Sequence, residues 1–216
     1  MPKTYTDDVA PVLPSSITGP FQVVSAGDIN SWIRIDPAAA KISAAGSSQP
    51  IRRIVTPGLR NYSSVTQSVI GANIAAVFVT PTTNGGLYFM PVQIPSDMDV
   101  SKPCKVKILV SPTASATTNG QVVRYQLSET HLASGGARTE TSFHYDWSVP
   151  DNWTVNDNSV VTLDGVGGDS FAGGTFQLGQ QLALRIARLG SATEDTFDKN
   201  VAMAEYAILE YTAAEL

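Results

Sequence analysis

The sequence predicts an all-β protein built as an antiparallel sandwich or barrel, and three observations carry that prediction. Beyond Asn61, segments rich in β-branched and aromatic residues recur between turn clusters, at the spacing of a sandwich rather than of alternating strands and helices. Two Asn-Gly dipeptides, in "TTNGG" (82–86) and "TTNGQ" (118–122), offer the positive φ that tight antiparallel connections use. Charged residues make up 15% of the chain, well short of the usual value of about 25%. A surface made instead from Ser, Thr, Asn, Gln, Gly and Ala is either strand-rich or partly covered by partners.

Residues 1–60 are the exception. They are rich in Pro, Ser, Ala and Gly and hold only short apolar pieces, "FQVV" (21–24) and "WIRI" (32–35), so they read as an extended N-terminal arm or docking segment. Within the arm, "DPAAAKISAAG" predicts one short helix: Asp36 is placed as N-cap, Pro37 as first helical residue, and Gly46 just past the end. From 61 to 216 the strands follow in order: "TQSVIGANIAAVFVT" (66–80), "LYFMPVQI" (87–94), "CKVKILVS" (104–111), "QVVRYQLSETH" (121–131), "TSFHYDWSV" (141–149), "SVVTL" (159–163), "GTFQL" (174–178) and "QLALRIARL" (181–189). In "VKILV" the residues Val106, Ile108 and Val110 alternate with Lys107 and Leu109, and in "VVRYQL" Arg124 and Gln126 oppose Val123, Tyr125 and Leu127. The closing segment "VAMAEYAILEYTAAEL" suits a strand or a helix equally, and its periodicity does not separate the two.

Several function classes are disfavoured by composition. With 14 basic and 19 acidic residues the net charge is −5, which gives no electrostatic footprint for nucleic acid or an anionic membrane. Cys104 is the lone cysteine, so an internal disulfide framework is excluded, and it reads as a small buried apolar residue. The opening "MPKTYTDDVAPVLP" lacks the charged-then-apolar order of a secretory signal, and the longest apolar run, "IAAVFV" (74–79), is too short to span a bilayer; the expectation is a soluble protein folded in the cytosol.

Four constellations invite chemistry. Arg188, Glu194, Asp195, Thr196 and Asp198 gather between two apolar stretches; Glu194 and Asp195 have the makings of an acid and base pair, but "GSATEDT" is a dense run of loop formers and reads as a structural turn. His144 and Asp146 lie two apart on one strand face, with His131 on the preceding strand, so a two-His, one-carboxylate site requires the register to align them. "GGDSFAGG" (167–174) approaches the G-x-S-x-G elbow around Ser170, with Ala172 in place of the second Gly and a Gly-rich loop on both sides where a strand and a helix are required. Tyr145, Trp147 and Trp153, with Phe143 and Tyr88, offer a stacking platform for sugar, although aromatics on strands more often fill cores.

Taken together, "YFMPVQIPSDMDVSKPCKVKILVSPT", "VVRYQL" and "RIARLGSATEDTFDKNVAMAEYAILEY" resemble the jelly-roll β-sandwich domain of capsid decoration (cement) proteins and head fibres of tailed bacteriophages. The matching positions are Ile94, Pro95 and Asp97, then Arg185 or Arg188, Asp195, Thr196 and Asp198, and finally Tyr211. The resemblance spans residues 88–211 and leaves the arm uncovered; Glu205, Glu210 and the Ala-rich character of the closing segment depart from it. It implies a strand over 201–211, no catalysis and no cofactor. It also implies a homotrimer that is made in the host cytoplasm and clamps the outer surface of the major capsid protein lattice in the virion. Under that reading Phe21, Trp32, Ile33, Ile35, Ile51 and Ile54 are the candidate partner contacts, since they are apolar groups in a segment too thin to bury them alone; folding back on their own sandwich is the alternative. A receptor-binding or fibre module recognising cell-surface glycan through Tyr145, Trp147 and Trp153 is the other functional reading, and a hydrolase using His131, His144 and Asp146 the third.

Overall fold

The computed structural model describes residues 3–5, 21–25, 27–36, 38–39, 41–63, 65–70, 73–78, 83–116, 118–132, 139–155, 157–164 and 178–213. Among these residues fifteen strands run in the order β1 (Lys3–Tyr5), β2 (Phe21–Ser25), β3 (Asp28–Asp36), β4 (Lys41–Ala45), β5 (Ile51–Ser63), β6 (Val65–Ile70), β7 (Asn73–Phe78), β8 (Asn84–Phe89), β9 (Val92–Gln93), β10 (Lys105–Pro112), β11 (Val122–Leu132), β12 (Thr139–Ser148), β13 (Ser159–Asp164), β14 (Gln181–Leu189) and β15 (Val201–Thr212). The expected elbow around Ser170 lies outside the described residues.

Strands β5 to β15 form the sandwich. Sheet I has the order β13-β10-β15-β5, with β7 and then β6 added along β15; sheet II has the order β12-β11-β14-β8-β5, with β9 beside β14. Of the eight main strands β5, β8, β10, β11, β12, β13, β14 and β15, sheet I takes the sixth, third, eighth and first, and sheet II the fifth, fourth, seventh and second. That alternation between sheets is the connectivity of a jelly roll, two Greek keys folded on each other. Among the described residues every pairing within the sandwich is antiparallel.

The core fills from the inner faces of both sheets. Sheet I contributes Val106, Ile108 and Val110 from β10, with Leu209 and Tyr211 from β15; sheet II contributes Val123, Tyr125 and Leu127 from β11, with Leu184 and Ile186 from β14. Cys104 is also buried, and that burial pushes its thiol up to about 12, so it packs as a small apolar residue. Segment 201–211 is a strand, hydrogen-bonded on one side to β10 and on the other to β5 and β7.

One strand joins the two sheets. Ile51–Pro57 of β5 pairs with β15 in sheet I, and from Gly58 onward the same strand pairs with β8 in sheet II. Pro57 and Gly58 mark the corner: a proline has no N–H to give a ladder, and a glycine lets another backbone come close. A Cβ on Gly58 would stand 3.2 Å from the carbonyl oxygen of Glu205 on β15. The domain boundary expected at 60/61 therefore falls inside β5, and the sandwich begins at Ile51.

The described part of the arm folds as a sheet of its own, β1-β2-β3-β4, with β1 parallel to β2 and the rest antiparallel. The short helix expected over 36–46 is not formed. Asp36 ends β3, its Oδ1 accepts from the Ala39 N–H at 3.2 Å, and residues 41–45 return as β4. The cap is real, but it caps a turn: β-branched Ile42 pairs with Ile35 across the hairpin instead of entering a helix. Gly46, at φ +60, then starts a single 3-10 turn, and a Cβ there would press on the backbone of Asn30 and Ser31.

Candidate functional site: the outer face of sheet II

The polar cluster after β14 is a buried staple. Arg188 has the same strand parity as Leu182, Leu184 and Ile186, so alternation sends it inward, where it is fully buried. Its guanidinium grips Asp195 with Nε to Oδ2 at 2.7 Å and Nη2 to Oδ1 at 2.5 Å, donates to the Lys199 carbonyl at 2.7 Å and also to the Phe197 carbonyl. Asp195 accepts in addition from the Arg124 N–H at 3.2 Å. Thr196 ties the loop to the start of β11: its N–H donates to the Val122 carbonyl at 2.9 Å, and its Oγ1 accepts from the Val122 N–H at 2.9 Å. Asp198 is exposed and pairs with Lys199 at 2.7 Å. Glu194 and Asp195 thus answer to different guanidinium groups: that of Arg124 hydrogen-bonds Glu194 and holds its carboxyl down to about 2. A group so far below neutrality is not a proton donor near pH 7.

The sugar platform expected at Tyr145, Trp147 and Trp153 is not available. Tyr145 and Trp153 are buried in the core and Trp147 packs against it, with the two indoles 5.1 Å apart edge to face. Phe143, Tyr145 and Trp147 share the parity of β12 that faces inward. The hydrolase constellation is also dispersed. His144 pairs with Gln126 while His131 pairs with Thr139; the five-residue offset along β11 is about 17 Å.

What alternation sends outward on sheet II is a different set. Ser142, Ser128, Arg185 and Tyr88 stand in one cross-strand row; His144, Gln126, Ala187 and Gly86 stand in the next. Tyr88 is 39% exposed, and the Arg185 guanidinium carbon lies 5.5 Å from its ring centroid. Among the described residues Arg185 has no carboxylate partner. It lies over Gly86, where an added Cβ would come within 3.1 Å of Arg185 Nε and of Ala187 Cβ. The Ser128 and Ser142 hydroxyls hydrogen-bond to each other at 2.8 Å, and Arg124 pairs with Asp146 at 3.5 Å beyond the second row. The face therefore presents an exposed aromatic ring beside a half-buried planar cation, with Ser142 and His144 exposed and Gln126 half-buried near them, while Ser128, Ala187 and Gly86 are buried. Tyr88 was legible in the sequence only as an accessory; the signal for it is the pair Gly86 and Tyr88, two apart on one strand face.

The six residues marked as partner contacts are divided. Phe21 and Ile35 pair in one register row of the N-terminal sheet and Ile33 stands in the row beside it. Ile33 is part-exposed and Ile35 half-buried; half-buried Trp32 points to the opposite face. Ile51 is exposed on the outside of sheet I, and Ile54 packs against the sandwich core, so it is a core residue.

No family model and no curated protein matches the sequence. Among solved structures the chain is similar to a xylan-binding domain of Paenibacillus barcinonensis Xyn10C, at 9% identity and TM-score 0.40, over 79% of this chain and all of that one. It is similar to a family 16 carbohydrate-binding module at 10% identity and TM-score 0.34, over 70% of this chain and 92% of that one. It is also similar to the enzymatically active domain of tailspike protein 4 of bacteriophage CBA120 at 10% identity and TM-score 0.33, over 75% of this chain and 19% of that one. At such scores the jelly-roll assignment rests on the strand order described above.

Proposed function

We propose that this protein is a non-catalytic glycan-binding module that takes an extended carbohydrate across the outer face of sheet II. The observation that supports this reading best is the pairing of half-exposed Tyr88 with Arg185 over Gly86. A sugar ring offers an apolar C–H face and a rim of hydroxyls. An aromatic ring stacks on the first, and a planar guanidinium with neighbouring Ser, Gln and His groups hydrogen-bonds the second. A row that crosses four strands of a rigid sheet suits a chain ligand better than a small molecule, because successive sugars can lie across successive strands.

The test is binding of the purified chain to a panel of immobilised polysaccharides, xylan among them. Wild type should bind at least one, and Tyr88→Ala should lower the affinity by about tenfold or more, about 1.4 kcal/mol, with an unchanged melting temperature. Retention by no polysaccharide, or full retention by the Tyr88→Ala protein, would defeat the proposal.

A second reading is decoration of a phage capsid through the N-terminal sheet, in the homotrimeric form the sequence resemblance implies. It is supported by Ile33 and Ile42, part-exposed on neighbouring rows of that sheet. Copy number in purified particles separates the two: many copies over the shell favour decoration, and few favour an adhesion module.

A further inference from the structure

The outer face of sheet I is unlike that of sheet II. In a sandwich the outside of each sheet is the solvated side, where polar groups normally stand. Here Val55 is 62% exposed, Val160 60%, Ile51 54% and Tyr206 37%. Register places Val55 beside Ile208, Tyr206 beside Pro57, and Val160 beside Leu109. One row across all four strands is charged, and its order alternates: Asp164 on β13, Lys105 on β10, Glu210 on β15, Arg53 on β5. Within the chain Arg53 and Lys107 each meet Glu210 at 2.8 Å, and Lys105 meets Asp164 at 3.7 Å.

That order is self-complementary. We propose that this face docks on the same face of a second copy of the chain, about a two-fold axis parallel to the strands between β10 and β15. Such an axis keeps each row opposite itself and reverses it, so Asp164 meets Arg53 of the second copy and Lys105 meets Glu210 of the second copy. The next row out closes in the same way, with Val55 of one copy against Thr162 of the other and Ile208 against the Lys107 stem, and an isologous interface of this kind is the commonest form of protein dimer. Four strands and the stretch Ile51–Pro57 give a face of about 20 Å by 23 Å, about 900 Å² counted over both copies, near the lower bound for specific association. The dimer is therefore a weak, concentration-dependent one, and it leaves sheet II open on both copies.

Sedimentation of the full chain over a wide concentration range tests the pairing, whatever sheet II binds. The expected result is a shift from one to two copies in the micromolar range, abolished by Val55→Lys, which breaks no ion pair. Arg53→Asp and Asp164→Arg should each weaken self-association by about tenfold or more while far-UV dichroism and melting show a folded protein. Mixing the two variants should restore a mixed dimer, because the new carboxylate at position 53 then meets the new guanidinium at position 164, and the other contact keeps its natural charges. A chain that stays monomeric at every concentration, a trimer indifferent to these substitutions, or a mixture that fails to recover would overturn the proposal.

Discussion

At the scale of the residue, Arg188 and Asp195 decide how the last two main strands of sheets II and I are joined. A buried ion pair gains little over a well-packed apolar pair, but removing one partner leaves a charge stranded without solvent, at a cost of about 3–5 kcal/mol. Asp195→Ala should accordingly lower stability by about that amount in urea unfolding, and the double variant Arg188→Met, Asp195→Leu should recover part of it. Glu194 allows a test by pH. Its carboxyl is held at about 2 by the hydrogen bond from Arg124 against an ordinary value of 4.5, so its contribution is complete above the ordinary value and is lost as pH falls from there through the lowered one. Glu194→Gln should thus lower the melting temperature a little at neutral pH, and the difference from wild type should close as pH falls between those two values. The turn itself was legible in the loop-forming run "GSATEDT". The burial of Arg188 was legible too, because strand parity places it with Leu184 and Ile186, and the same parity on β12 assigns Tyr145 to the core. Residue type pulled the other way in both cases, since arginine suggests a surface and clustered aromatics suggest a platform.

Elements were legible where alternation was clean and obscure where Pro and Gly punctuate a strand. β10, β11 and β14 follow their alternation closely. β5 does not look like a strand because Pro-Gly marks a turn in most sequences; here the pair bends one strand from sheet I into sheet II. Gly58→Val should press into the Glu205 carbonyl and destabilise the fold by about 1–3 kcal/mol, measured by thermal or chemical unfolding, whereas the same change at Gly120, where a Cβ would meet nothing within 4 Å, should act only through its positive φ. β15 shows propensity yielding to context. Its Ala and Glu residues favour a helix, yet neighbours on both edges supply a ladder that no isolated helix could match. The helix signal at Asp36 and Pro37 failed for a related reason: a capping aspartate serves a turn as readily as a helix.

At the scale of the whole molecule, an antiparallel sandwich or barrel was foreshadowed by strand spacing and the sparse charge of the chain, and its jelly-roll type by the family resemblance alone. The four-stranded N-terminal sheet was not, because β1, β2 and β4 are only three to five residues long and the Asp-Pro-Ala run between β3 and β4 carries a helix signal. Under the two proposals the outer faces of the sandwich have different roles. Sheet I shows exposed aliphatics beside an alternating charge row, the face proposed to meet a second copy; sheet II shows Tyr88 and Arg185 with Ser142, Gln126 and His144 near them, the face proposed to take sugar. Amide hydrogen exchange with and without a retained polysaccharide tests the latter most directly. Slowed exchange confined to β8, β11 and β14 around Tyr88, Arg185 and Gln126, with β10 and β13 unchanged, is the predicted result; a footprint on any other surface would contradict it.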